Sequence, residues 1–374
     1  MERSPASLLD LDSWEIIASF LPPEWDTQAR QLGAIRRTRY NSDPSVVLRI
    51  LLLHLACGCS LAETAARASA AGLAQISAVG VFKRLRGCGI WLQWLAQQMR
   101  GEAEIPLAVT GRRVRAVDAT WVSEPGSTGS DWQLLYAVNL GDLECDFFEL
   151  SAARQGGESF KRVPVRAGDI LLGDRVYAAP PSVAHAVEAG ADVVVRLNRG
   201  ALPLYDGQGT RIDVLAYMRE LPASGPGQWS AAVKQRGGPW LSGRLIGLRQ
   251  SEAATQRAQR QLRRRAQRDR CKVTAESLES AAYFMLWTSL PPEIAVEQVL
   301  ELYRLRWQVE LVFKRMKSIL ELGHLPKKDP QSARAWLAGK LFVGLLVERM
   351  IATAKTISPW GYELPAPAEP LARI

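Results

Sequence analysis

Arg112–Val122, RRVRAVDATWV, is where the chain stops reading as helix and starts reading as sheet. WQLLYAVNL (Trp132–Leu140) and CDFFELSA (Cys145–Ala152) follow it across turn residues at Pro125–Ser130 and Gly141–Asp142, which predicts three successive antiparallel strands. ILLG (Ile170–Gly173) and VVVRL (Val193–Leu197) are almost wholly apolar and flank a helical run, Pro181–Gly190. Apolar runs separated by a helix are how strand–helix–strand units read, so the sheet should be mixed, with helices packed on it. The fold class expected is α/β.

Upstream, residues 1–105 are rich in Ala and Leu at spacing near 3.6, which predicts an N-terminal all-helical domain. Within it, Ser60–Gly87 offers an N-cap serine, a helix, a break at Ala71–Gly72 and a second helix carrying Lys83, Arg84 and Arg86. The pair reads either as a helix-turn-helix aiming those basic side chains at DNA or as an ordinary helical hairpin. Residues 106–200 hold the strands above. From 201 to 290, turn-forming stretches (DGQG, ASGPG, RGGPW) and short strands such as GRLIGLRQ predict a β-rich insertion domain, because Trp229, Trp240 and AAYFMLWTSL need a core. The arginine-dense Gln256–Arg270 reads equally as a phosphate contact or a solvated helix. Helical pattern returns over 291–360, and 361–374 is expected to be a disordered tail.

Lys and Arg (47) exceed Asp and Glu (38), a net charge of +9 and a pI near 9.5, which favours a polyanionic partner. Five scattered cysteines (Cys57, Cys59, Cys88, Cys145, Cys271) indicate a reducing compartment without a disulfide framework, and no second pair stands at zinc spacing. Only three histidines (His54, His185, His324) are present, which weighs against a histidine metal centre or a Ser-His triad. The start carries Glu2, Asp10 and Asp12 without a cationic apolar leader, and apolar runs near 46–55 and 341–346 are too short to span a bilayer. A soluble, cytoplasmic, nucleoid-associated protein without a membrane partner is expected.

Three carboxylates stand where chemistry is expected. Asp118 lies inside a predicted central strand, where burying an unpaired charge is expensive. Asp174 directly follows ILLG, at the carboxyl end of a strand, where open α/β sheets place ligands. Glu310 belongs to Tyr303–Lys317, YRLRWQVELVFKRMK. At about 100° per residue, Tyr303, Arg306, Glu310 and Lys317 fall within roughly 60° of one another beside an apolar stripe. Taken alone, this is equally an amphipathic surface helix with an Arg306–Glu310 ion pair.

The pattern Tyr-x2-Arg-x3-Glu-x6-Lys, filled by Tyr303, Arg306, Glu310 and Lys317, resembles the signature of the insertion-sequence IS-four family of DDE transposases. Asp118 in DATWV and Asp174 with Tyr177 in GDRVYA lie in the matching order, and the gap of 310 − 174 = 136 residues resembles that family's β-strand insertion within a ribonuclease-H-like core. The resemblance implies that Asp118, Asp174 and Glu310 are catalytic and ligate two Mg²⁺ ions, with Mn²⁺ able to substitute. It implies DNA contacts by Tyr303, Arg306, Lys317 and Tyr177, double-stranded DNA (transposon ends and target) as partner, and a homodimer in the synaptic complex. Trp287 is either a base-stacking residue, as in relatives that cleave through a hairpin, or a core residue. A non-catalytic repressor derived from a transposase, or a metal-dependent nuclease on the same fold, are the alternatives.

Overall fold

The structure is a computed structural model that describes residues 13–35, 43–101, 105–108, 110–124, 126, 132–152, 157–222, 224–323, 325–326 and 329–354. The expected turn at Pro125–Ser130, apart from Gly126, and the expected tail at 361–374 lie outside these residues.

Six helices lead the chain: α1 (Ser13–Ser19), α2 (Trp25–Gln31), α3 (Pro44–Leu55), α4 (Leu61–Ala70), α5 (Ala78–Gly87) and α6 (Gly89–Gln98). Their starts follow local chemistry. Asp43 accepts from Ser45 N at 2.9 Å with Pro44 in the first turn, Ser60 Oγ accepts from Glu63 N and Ser77 Oγ from Gly80 N, each at 3.1 Å. The break between α4 and α5 falls where Gly72 takes φ +66°, a conformation that side chains with a Cβ rarely adopt.

The sheet begins with β1 (Val114–Val122), β2 (Trp132–Asn139), β3 (Cys145–Ala152) and β4 (Ile170–Gly173), then α7 (Pro180–Glu188) and β5 (Asp192–Arg196). Next come β6 (Leu204–Tyr205), α8 (Val214–Arg219), β7 (Pro226–Ser230), β8 (Ala232–Lys234), β9 (Trp240–Leu241), β10 (Arg244–Arg249), α9 (Glu252–Arg268), α10 (Ala275–Ser280) and β11 (Tyr283–Thr288). The described chain closes with α11 (Val296–Leu305), α12 (Trp307–Ile319) and α13 (Pro330–Ala354).

Eight strands form one mixed sheet in the order β3-β2-β1-β4-β5-β11-β10-β7. β1, β4 and β5 run parallel, and the remaining neighbours pair antiparallel. Three strands from the 201–290 stretch thus extend the main sheet, while β6, β8 and β9 make a small sheet beside it. β11 covers the edge that β5 would otherwise leave with unpaired backbone groups.

Apolar cores cover both faces. On one face Val114, Ala116 and Val122 pack with α12, α13 and the leading helices; on the other Val117 packs with Phe160, Tyr177, α7, α8 and Trp287. Leu48, Trp91 and Leu95 share the first core with Phe342 and Leu345. The leading helices are therefore sealed onto the sheet through α13, and among the described residues Ile50, Ala65, Ala68, Ala74 and Val81 form a small cluster of their own.

Candidate active site

Register places the two aspartates. β1 and β4 pair in parallel with Val114 beside Ile170 and Ala116 beside Leu172, an offset of 170 − 114 = 56. Continued two residues past the paired segment, the same offset brings Asp118, within β1, to the position of Asp174, the residue after β4 (118 + 56 = 174). Asp174 follows the last residue of β4, and its Oδ1 accepts from Val176 N at 2.8 Å; Asp118 Oδ1 accepts from Ala119 N at the same distance. Gly173 is required at this turn: a Cβ there would lie 2.7 Å from Tyr177 Cβ and 2.8 Å from Phe160 Cζ. Alternation along β1 turns Asp118 toward α12, which packs on the strand and carries Glu310.

Arg306 joins two of the three carboxylates. Its guanidinium bonds Glu310 and lies 3.6 Å from Asp118 Oδ2. The expectation of one continuous helix through Tyr303–Lys317 needs correcting, because α11 ends at Leu305 and α12 begins at Trp307. At the junction Arg306 N bonds Tyr303 O and Val309 N bonds Arg306 O, i to i−3 bonds that tighten the helix locally. Tyr303 is buried, its ring edge-on to Phe284 at 5.6 Å and under the Arg306 guanidinium at 5.6 Å. Its hydroxyl has no partner among the described residues. Lys317 is exposed and lines an open groove of about 490 Å³ with Thr120, Glu310, Phe313, Lys314 and Ser318.

Burial and neighbouring charges set the electrostatics of these groups. Burial pushes the Asp118 carboxyl up to about 6; its bond from Ala119 N and the Arg306 charge hold it down, while Asp174 and Glu310 push it further up. Glu158 is pushed up to about 7, first by burial and then by Asp118 and Asp174, against Arg162 and the Gln133 amide. Tyr177 is raised by burial and by the fields of Asp118, Glu158 and Asp174. The opposite ends of the same strands differ: there Asp169 pairs with Arg113 at 2.6 Å and Asp146 with Arg115 at 2.6 Å, each fully engaged. One end of the sheet neutralises its buried carboxylates, and at the other Arg306 is shared by Asp118 and Glu310.

As a donor set, Asp118, Asp174 and Glu310 are the hard oxygens a divalent cation prefers. Tyr177, three residues after Asp174, is buried, and its hydroxyl has no partner among the described residues. Among the described residues no three of these groups stand together as a closed cation cage, and Glu310 is turned onto Arg306. The residues therefore suit a divalent cation, provided that Glu310 exchanges Arg306 for the ion.

The other residues singled out from sequence are placed as follows. Trp287 is fully buried in β11 and donates its indole N–H to Ala231 O at 3.0 Å, so it is a core residue and not a base-stacking platform. Tyr177 is also buried, packed on Phe160 at 4.9 Å, which corrects its expected place on a DNA-contacting surface. Lys83 is exposed on α5 and Arg84 half-buried, whereas Arg86 bonds Gln331 at 2.8 Å and approaches Asp329 at 3.6 Å, tying α5 to the start of α13. The arginine run forms α9, and its Arg265 joins Arg175, Arg196 and Arg199 around a cavity of about 610 Å³ without an acidic lining residue. Glu158, Arg175 and Arg196 were not singled out from sequence. Arg175 adjoins Asp174 and could have been; Glu158 sits in an irregular loop, where no periodicity marks it.

An α/β sheet with one aspartate within a central strand, a second directly after the neighbouring parallel strand, and a helix-borne glutamate joined to the first through an arginine defines a class of carboxylate-based active-site proteins. Comparison with known proteins gives the family. Residues 151–346 match the family described as transposase DDE domain. The chain is 33% identical over 358 residues to the transposase assigned to insertion sequence element IS186A of Escherichia coli (strain K12), covering 93% of this chain and 96% of that protein. Identity is also 33% over 359 residues with the transposase for insertion sequence element IS421 of Escherichia coli, at the same coverage. It is 25% over 269 residues with the transposase for IS231F of Bacillus thuringiensis subsp. israelensis, covering 62% of this chain and 54% of that protein. The chain belongs to the DDE transposases of insertion sequences, a family of enzymes that cleave and transfer DNA. No helix among the described residues is long and apolar enough to cross a membrane.

Proposed function

We propose that the protein binds the terminal inverted repeats of an insertion sequence and carries out metal-dependent strand cleavage and strand transfer, on a ribonuclease-H-like core with a β-rich insertion at 201–290 and an N-terminal helical DNA-binding unit at 1–105. The observation that carries the reading is the parallel pairing of β1, which holds Asp118, with β4, which Asp174 follows, with Glu310 joined to Asp118 through Arg306. Asp118, Asp174 and Glu310 would hold divalent ions, Mg²⁺ or in its place Mn²⁺; bound there, such ions supply an activated water or DNA hydroxyl and stabilise the leaving oxygen.

The chain's own side chains bind and orient the strand. Lys317 and Lys314 line the groove at Glu310, where each offers a phosphate a point charge. Arg175, Arg196 and Arg199 form a cationic wall on the Asp174 side, and α9 closes it with Arg265. Burial lowers Arg175, and the neighbouring Arg196 lowers it further, so an anion entering this cavity relieves mutual repulsion. Two such copies, one per transposon end, fit the homodimer that paired ends call for.

Asp118→Asn, Asp174→Asn and Glu310→Gln are each expected to abolish Mg²⁺-dependent cleavage of cognate ends while end binding in gel-shift assays persists. Cleavage by any one of the three variants at the wild-type rate overturns the proposal. Product analysis on the wild type separates strand transfer from nicking alone.

A further inference from the structure

The arginine-dense run Gln256–Arg270 folds almost entirely into α9 (Glu252–Arg268), and its charges are placed unevenly around that helix. The run holds seven arginines and one acidic residue, Asp269. At about 100° per residue, Arg257, Arg260, Arg264 and Arg268 fall within roughly 80° of one another. Ala266 and Gln259 lie on the opposite side, where Ala266 is buried and Gln259 Nε2 donates to Leu278 O at 3.0 Å. The arginine ridge therefore points away from the body of the protein, and all four of its side chains are exposed.

A helix that is merely solvated gains from opposite charges three and four residues apart. α9 does the reverse. Arg260, Arg264 and Arg268 follow one another at steps of four, with Arg257 three residues before the first, and each like-charged neighbour destabilises the helix. Arg265 and Arg268 share the single carboxylate of Asp269, at 3.4 and 3.1 Å. Among the described residues Arg257, Arg260, Arg263 and Arg264 form no ion pair.

A second observation comes from the face beside the ridge. From α9, Gln261 and Arg265 line the cavity of about 610 Å³, which Arg175, Arg196 and Arg199 also line. None of these last three forms an ion pair among the described residues; Arg199 Nη2 bonds the Glu276 carbonyl at 3.4 Å. Arg196 Nε is buried without a hydrogen-bond partner, which costs free energy until an acceptor reaches it. Arg175 directly follows Asp174, so positive charge without a matching carboxylate runs from the candidate active site, through the cavity, to the ridge of α9.

We propose that α9 grips duplex DNA of any sequence, with Arg257, Arg260, Arg264 and Arg268 laid along the phosphates of the DNA that runs out from the cavity. The proposal rests on the DNA-cleaving reading above and concerns a surface apart from the three carboxylates. From Arg257 to Arg268 (268 − 257 = 11 residues) the ridge is roughly 16 Å long, about five nucleotide steps of one strand. Contacts to phosphates fix the position of a duplex and carry no base information, so this grip is blind to sequence.

The test uses the full chain and a short random-sequence duplex, with binding read by fluorescence anisotropy across a salt series and fold integrity by thermal unfolding. Each phosphate contact on duplex DNA contributes about −0.9 to the slope of log K against log salt. Arg257→Gln, Arg260→Gln, Arg264→Gln and Arg268→Gln together should flatten that slope by about 3 to 4 and weaken binding about 10-fold or more at near-physiological salt. The unfolding midpoint should hold or rise, because glutamine is as good a helix former and the repulsion is gone. The same four positions changed to Lys should keep the slope, and so should Arg236→Gln, an exposed position between β8 and β9.

Wild-type slope and affinity in the four-Gln variant overturn the role of α9, and cleavage of cognate ends by that variant leaves the active-site reading standing. A lower unfolding midpoint with an unchanged slope likewise overturns it, since the arginines then hold the fold and not DNA. Loss of binding on single-stranded DNA alone, or an equal loss in Arg236→Gln, overturns the assignment of a duplex to this helix. A wild-type chain that binds no duplex at low salt removes the DNA-cleaving reading itself. If the four-Gln variant does not fold, Arg260→Gln with Arg264→Gln decides the matter, with an expected flattening of about 2.

Discussion

Arg306→Ala tests how the site is held before an ion arrives. Arg306 is the cation in contact with both Asp118 and Glu310, and the side chains are 13%, 16% and 34% exposed, respectively. Breaking a fully buried pair costs about 3–5 kcal/mol and an exposed one under about 1 kcal/mol. With one partner a third open to water, the loss in the metal-free protein should be about 1–3 kcal/mol, part of it from the two carboxylates left facing each other. At roughly 2–4 °C per kcal/mol, the unfolding midpoint should fall by about 2–12 °C.

Mn²⁺ should reverse the order. An ion in the place of the guanidinium screens the same carboxylates, and the variant no longer has to release Arg306 to admit it. If removal of Arg306 tightens Mn²⁺ binding tenfold, saturating ion returns about 1.4 kcal/mol more to the variant than to the wild type. The assay is urea or thermal unfolding of both proteins with and without Mn²⁺, with Arg306→Lys as the intermediate case, since a lysine keeps the charge without the planar fork. An equal Mn²⁺-induced gain in the wild type and Arg306→Ala would refute the idea that the guanidinium holds the ion's place.

Glu348, on α13, is pushed up to about 7 by burial and by Glu144, against Arg315, from an ordinary 4.5. Its folded value is raised, so its charge destabilises the fold increasingly between pH 4.5 and 7 and fully above that. Glu348→Gln should therefore gain on the order of 2–3 kcal/mol at pH 8 and nothing near pH 4, read from urea unfolding at both; equal stability at pH 8 would count against the burial argument. Trp287→Ala should cost about 3–5 kcal/mol by removing a fully buried ring and its bond to Ala231 O. A variant with wild-type stability but altered cleavage products would restore the stacking role for Trp287.

Local patterns in the sequence were enough to locate the strands Val114–Val122, Trp132–Asn139 and Cys145–Ala152, the apolar runs of β4 and β5, and the break after α4. These depend on alternation, β-branched content and turn chemistry within a few residues of each other. The fixed spacing Tyr303, Arg306, Glu310, Lys317 marked the signature segment, but not that the helix is interrupted at Arg306. That interruption involves a guanidinium whose partners lie 4 residues away on one side and on β1 on the other.

What the chain alone determined was the kind of protein and three of its carboxylates, because types at fixed spacing along one segment, and apolar runs ending in Asp, are local. What only the tertiary structure decided was their company. Parallel pairing of β1 with β4 across 56 positions brings the strand holding Asp118 beside the one that Asp174 follows, and that register depends on closing a long loop that no window of sequence contains. The same closure buries Tyr177 and Trp287 and brings β7, β10 and β11 into the main sheet.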